Sequence, residues 1–158
     1  MDINEVIRWG VFGLLTVAML TAFLGGWLTR VSGSWRDGDR HIELEQFGPW
    51  VNGHCSRVGG REIYKGTAFF GRLKLSRMDD GTDHLKAVGF EAEAIPLLKG
   101  QIMASLDLRL EEGDTLRGVF EGRRFKFGEE PLRITSVTRV APTPRVWQRI
   151  PSAPVLKT

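Results

Sequence analysis

The stretch from Trp9 to Leu28 carries no charged residue. As a helix rising about 1.5 Å per residue it spans roughly 30 Å, the thickness of a bilayer's hydrocarbon core. Trp9 and Trp27 stand near its ends, where indole rings favour the headgroup level, and Arg8 and Arg30 bracket them in water. Residues 1–30 are therefore expected to be a single-pass anchor, with Trp9, Trp27 and Arg30 at the interfaces. A secretory signal would need a basic start, a shorter apolar core and a small-x-small cleavage site. Here the start leans acidic through Asp2 and Glu5, and Gly-Gly-Trp-Leu-Thr-Arg makes a poor site.

Ala18, Ala22 and Gly26 recur at every fourth position, with Thr21 and Gly25 beside them. Small residues at this spacing let a second backbone approach closely, so this stripe is the expected packing face toward neighbouring membrane helices. Flanking charge sets the expected orientation. Arg30, Arg36 and Arg40 follow the helix, against Arg8 and the α-amino group before it, which favours a cytoplasmic location for the rest of the chain at a bacterial inner membrane.

The first 30 residues hold two charges of each sign, so the net +3 resides in the remaining 128 residues, enough chain for one core. Fifteen of the chain's nineteen glycines and all seven prolines lie there and argue against a helical bundle. A single cysteine, Cys55, excludes an internal disulfide and a zinc site built on two thiols from one chain.

Beyond Val31 the pattern becomes alternation with period two, the mark of half-buried strands. From Gln101 to Leu110, residues Ile102, Ala104, Leu106, Leu108 and Leu110 share one face. Ile42 and Leu44, Leu73 and Leu75, the segment Phe90 to Ala94, Phe125 and Phe127, and Ile134 alternate in the same way. Asp37-Gly38-Asp39, Asn52-Gly53, Gly59-Gly60, Asp80-Gly81, Lys99-Gly100, Glu112-Gly113 and Glu121-Gly122 supply turn signals between them. Pro96 interrupts the best remaining helical stretch, so no helix is expected after Leu28. The predicted fold is one transmembrane helix, then an all-β antiparallel meander of seven to nine strands over residues 31–140, closed as a small barrel or folded as a sandwich.

Gly33-Ser34-Trp35, opening the first strand, resembles the Gly-x-Trp start of calycin barrels such as lipocalins and avidins. The resemblance covers about residues 31–140 in architecture and three residues in motif. It implies a tryptophan plugging one barrel end and an interior able to hold an apolar ligand.

Catalytic and metal signals are weak. His41, His54 and His84 are scattered without ligand spacing, and adjacent His54 and Cys55 point to opposite faces of a strand. Alternation puts the carboxylate pairs Glu43/Glu45 and Glu91/Glu93 on wet strand faces, and no nucleophile, base and orienting group can be assembled. The expectation is a protein that is not an enzyme, with no metal and no cofactor of its own.

After Glu130 no acid occurs, while Arg133, Arg139, Arg145, Arg149 and Lys157 give +5. Pro142, Pro144, Pro151 and Pro154 are expected to keep residues 141–158 irregular. Such a tail would be ordered only against something else, so Arg139, Arg145, Trp147 and Arg149 are expected contacts for a partner or for lipid headgroups. Nucleic acid is a poor partner for arginines spread this thinly.

Two functions fit. In the first, the chain is a non-catalytic accessory subunit of a photosynthetic, respiratory or secretion complex, touching integral membrane subunits, membrane lipid and any pigments those subunits hold. Its layout is similar in plan to the H subunit of bacterial photosynthetic reaction centres. In the second, it is an anchored calycin-like barrel carrying a lipid or other apolar molecule; a cavity lined by Phe69, Leu73, Leu106 and Phe125 would mark that case.

Overall fold

Alternating residues bury one side of a strand, and a run of such strands hides that side completely only by curling into a closed sheet. A computed structural model of the protein describes residues 3–112, 114–128 and 132–151, and in it the sheet closes. The elements are helix α1 (Ile3–Leu28), strands β1 (Gly33–Asp37), β2 (Arg40–Phe47), β3 (Trp50–Arg57), β4 (Gly60–Phe69) and β5 (Arg72–Asp80), short helices α2 (Thr82–Ala87) and α3 (Ile95–Leu98), then β6 (Ala104–Glu111), β7 (Thr115–Gly128), β8 (Arg133–Arg139) and β9 (Thr143–Arg149).

Strands β1 to β7 pair in sequence, all antiparallel, and β9 returns to lie between β7 and β1. Eight strands thus form a barrel, and β8 is an extra strand paired to the second half of β7. Along β7 the inward positions switch from buried Leu116 to buried Phe125 and half-buried Phe127, even to odd, as the strand leaves the barrel and becomes one arm of a projecting ribbon.

The axis is filled. Val31, Trp35, Ile42, Ala68, Leu73, Leu116 and Trp147 are each 0% exposed, so no space large enough for a water molecule touches them. Tyr64 packs edge-on against Trp147 at 5.8 Å between ring centres. A second cluster of Leu85, Ile95, Leu98, Met103 and Phe125 joins α2 and α3 to the ribbon.

Several expectations need correction. The segment Phe90 to Ala94 is not a strand but the link between α2 and α3, two helices that the sequence reading did not anticipate. Asn52-Gly53 and Glu121-Gly122 lie inside β3 and β7, while turns fall at Gly48-Pro49 and Phe70-Gly71. Residues 143–149 are not an irregular tail but the strand that closes the barrel, with Pro144 opposite Val119. Pro154 and Lys157 of that expected tail lie outside the described residues.

Deleting residues 141–158 should therefore unfold the barrel rather than trim it, and Trp147→Ala should cost about 3–5 kcal/mol. Thermal melts followed by far-UV circular dichroism test both; a truncated chain that keeps its cooperative transition would contradict the closing role of β9.

Candidate functional site

A helix ends with four carbonyls lacking intrahelical partners, and the barrel supplies donors to two of those of α1, Gly25 and Gly26. Gln46 Nε2 on β2 donates to the Gly26 carbonyl at 2.6 Å, and the Phe70 amide in the β4–β5 turn donates to that of Gly25 at 3.3 Å. Thr29 Oγ1 donates to the Gly25 carbonyl at 3.1 Å and accepts the Gly71 amide at 2.6 Å. Gln46 Oε1 accepts the Val31 amide at 2.9 Å, and the Ser32 hydroxyl accepts the Gln46 amide at 3.0 Å. The link from helix to barrel is thus bonded at Gly25, Gly26, Thr29, Val31 and Ser32.

Close approach requires glycine here. A Cβ on Gly26 would lie 2.5 Å from the Gly48 carbonyl carbon, and one on Gly25 would lie 2.7 Å from the Phe69 ring. Around this junction Phe23, Phe47, Trp50 and Phe70 are exposed, with Phe69 at 37%. Phe23 meets Phe47 and Trp50 edge-on at 6.3 and 6.1 Å. An aromatic collar, formed by the helix and the β2–β3 and β4–β5 turns, therefore flanks one side of the barrel end that receives the apolar helix.

The opposite end is ionic. Arg40, Arg57 and Arg77 converge on Glu62 Oε1 at 3.7, 3.5 and 3.6 Å, and the Tyr64 hydroxyl donates to Glu62 Oε2 at 2.6 Å. Burial pushes the Glu62 carboxyl up, but the Tyr64 hydrogen bond and the three guanidinium groups outweigh it and hold it below the usual carboxylate range. Burial and the Glu62 charge push the Tyr64 hydroxyl up, so it stays a donor. Asp79, beside Arg77 and 3.6 Å from His84 Nε2, is held above its ordinary value, chiefly by burial. Arg145 reaches Asp37 at 3.7 Å and lies with Arg77 against the Phe120 ring. Every arginine in this cluster has an acidic neighbour, which describes an internal ionic plug rather than an open site.

Beyond that end projects the β7–β8 ribbon, carrying Arg123, Arg124, Lys126, Arg133 and Arg139. Arg139 pairs with Glu121 at 3.2 Å, and among the described residues β8 has no strand on its outer edge.

The residues singled out from sequence fall differently from one another. Ala18 and Thr21 face outward on α1, whereas Gly25 and Gly26, expected to meet a neighbouring helix, are covered by this chain's own barrel. The side chains of Ala22 and Trp27 lie outside the described residues. Trp9 and Arg30 are exposed at the two ends of the helix. Of the expected tail contacts, Arg139 is on the ribbon, while Trp147 is wholly buried and Arg145 is tied to Asp37.

Arg149 is likewise internal. Its Nε donates to Asp114 Oδ1 at 2.8 Å, Nη1 to the Ser32 carbonyl at 2.5 Å and Nη2 to the Arg30 carbonyl at 2.7 Å, with the guanidinium 4.5 Å above the Trp35 ring. Arg145, Trp147 and Arg149 recur at every second residue, and that alternation was the signal for a strand. Gln46 was missed because nothing local marks a glutamine as a cap for a helix 20 residues away.

Comparison of the chain with protein-family models, with curated proteins and with solved structures finds no match. Among the described residues no group of three or more His, Cys, Asp or Glu side chains is placed to hold a metal ion.

Glu62→Gln should cost about 3 kcal/mol at neutral pH, because three guanidinium groups lose their shared counter-charge. Since the native carboxyl sits below its unfolded value of about 4.3, its stabilisation is present above that value and fades as pH falls through the native one. Chemical denaturation at a series of pH values should therefore give the variant a flatter acid limb than the parent. An unchanged acid limb would show that Glu62 is not the group being titrated.

Proposed function

We propose that this chain is a non-catalytic accessory subunit of a membrane protein complex, anchored by α1 and presenting a solid barrel to integral membrane partners. The observation that carries the reading is the junction: a helix apolar and long enough to cross a bilayer, over Ile3–Gly26, is bonded directly into a barrel end flanked by exposed aromatic side chains. Aromatic rings gather where hydrocarbon meets headgroups, so the collar of Phe23, Phe47, Trp50, Phe69 and Phe70 belongs at that depth. The charges that follow the helix favour the cytoplasmic side for the barrel.

A packed axis supports a structural role over carriage of an apolar ligand. Leu73 and Leu106 fill the core, Phe69 belongs to the collar and Phe125 to the second cluster, so these four line no common chamber. The far ribbon, with five basic residues, suits an acidic patch on a partner.

Two measurements test the reading. The chain should stay in the membrane pellet after alkaline carbonate washing. A photo-crosslinker at Lys126 should join it to one integral membrane protein that co-purifies in fixed ratio in mild detergent, and Arg124→Glu with Lys126→Glu should weaken that association at least tenfold. Release by carbonate, or purification of the chain alone, would refute the proposal.

A further inference from the structure

Beside the point where α1 enters the barrel lies a cleft of about 1000 Å³, rimmed by Leu28, Arg30, Ser32, Leu110, Asp114 and Arg149. Its chemistry is divided. Leu28, in the last turn of the helix, is exposed, and Leu110, packed against the barrel core, is half-buried, so both offer apolar surface to the cleft. The one acid on the rim, Asp114, is bonded to Arg149, and all three guanidinium nitrogens of Arg149 are engaged by Asp114 and two backbone carbonyls.

Arg30 is the exception. Its carbonyl is fixed by Arg149, yet its exposed guanidinium makes no bond to any described residue, so a cation is held on the rim with its charge unanswered. Next to it the Ser32 hydroxyl accepts from the Gln46 amide and keeps its own O–H free to donate. A cation and a hydroxyl donor beside an apolar wall fit a phosphate ester that carries an acyl chain.

We propose that this cleft seats one anionic phospholipid, its phosphate on Arg30 and Ser32 and an acyl chain along Leu28 and Leu110. The inference rests on the anchoring of α1 in a bilayer, which places the last helical turn and the cleft at headgroup depth. A lipid is favoured over a protein segment because Leu28 on the apolar side of the cleft belongs to the membrane helix itself, and the unbalanced charge is a single positive group.

The test uses the full chain reconstituted in nanodiscs of equimolar phosphatidylglycerol and phosphatidylcholine, then released into mild detergent for native mass spectrometry. The parent should retain one phosphatidylglycerol per chain, at least about fivefold over phosphatidylcholine, the factor expected for one basic group at the surface. Arg30→Gln should bring the two lipids to parity, Arg30→Lys should restore most of the preference, and Leu110→Trp should reduce retention of both. Arg8→Gln, at the other end of the helix, serves as the control and should change nothing. Equal retention of both lipids by the parent, or an unchanged preference in Arg30→Gln, would overturn the proposal while leaving the anchoring intact. Failure of the chain to enter nanodiscs at all would overturn both.

Discussion

A rolled sheet has no raw edge only if its last strand finds its first, and in this protein one guanidinium group ties that seam. Arg149 at the end of β9 bonds the Arg30–Ser32 linker, reaches Asp114 after β6 and lies over Trp35 of β1. It thereby joins the closing strand, the opening strand and the exit of the helix at one point. Planar, permanently charged and able to donate in several directions, arginine suits this position in a way that lysine would not. The seam is continued inward by Trp147 and Trp35, both fully buried, so the apolar core and the polar clasp are registered by the same two strands.

The interior is graded along its axis as a result. Near the helix the barrel is closed by the linker and by aromatic rings; its middle is aliphatic and aromatic; its far end holds Glu62, Asp79 and four arginines. Buried ions add little net stability compared with apolar packing, but removing one of them leaves its partners uncompensated. That grading gives the two ends different surfaces: exposed aromatic rings beside the Arg30 and Asp114–Arg149 charges at one, and a cluster of buried ions at the other.

The same grading explains what could be read from the sequence. The helix was legible from its charge-free run, and strands β2, β5 and β6 because their inward positions are apolar, as in Leu73-Lys74-Leu75 and Leu106-Asp107-Leu108. Strand β9 was not, because its inward set is Arg145, Trp147 and Arg149, and charged residues facing inward read as a solvated tail. Proline misled as well: Pro144 lacks an amide hydrogen, yet it stands one residue into the strand, where a ladder tolerates that loss. Phe90 to Ala94 misled in the other direction, since its alternation relies on two small alanines and the segment is spent linking α2 to α3. Small residues at Gly25 and Gly26 read as a face for a neighbouring helix, and only the fold reveals that Gly26 is met by the chain's own Gly48-Pro49 turn and Gly25 by the Phe69 ring.

A consequence follows from the bonds that cap α1. Most single helices joined to a domain are connected by a few rotatable residues, and the domain then swings like a bead on a thread. Here Gln46, Thr29 and the Phe70 amide remove that freedom, so helix and barrel turn together. A tilt of the helix is therefore passed to the far ribbon as a displacement that grows with the ribbon's distance from the junction. The chain is mechanically a lever, and its fulcrum is the pair of glycines where the helix meets the barrel.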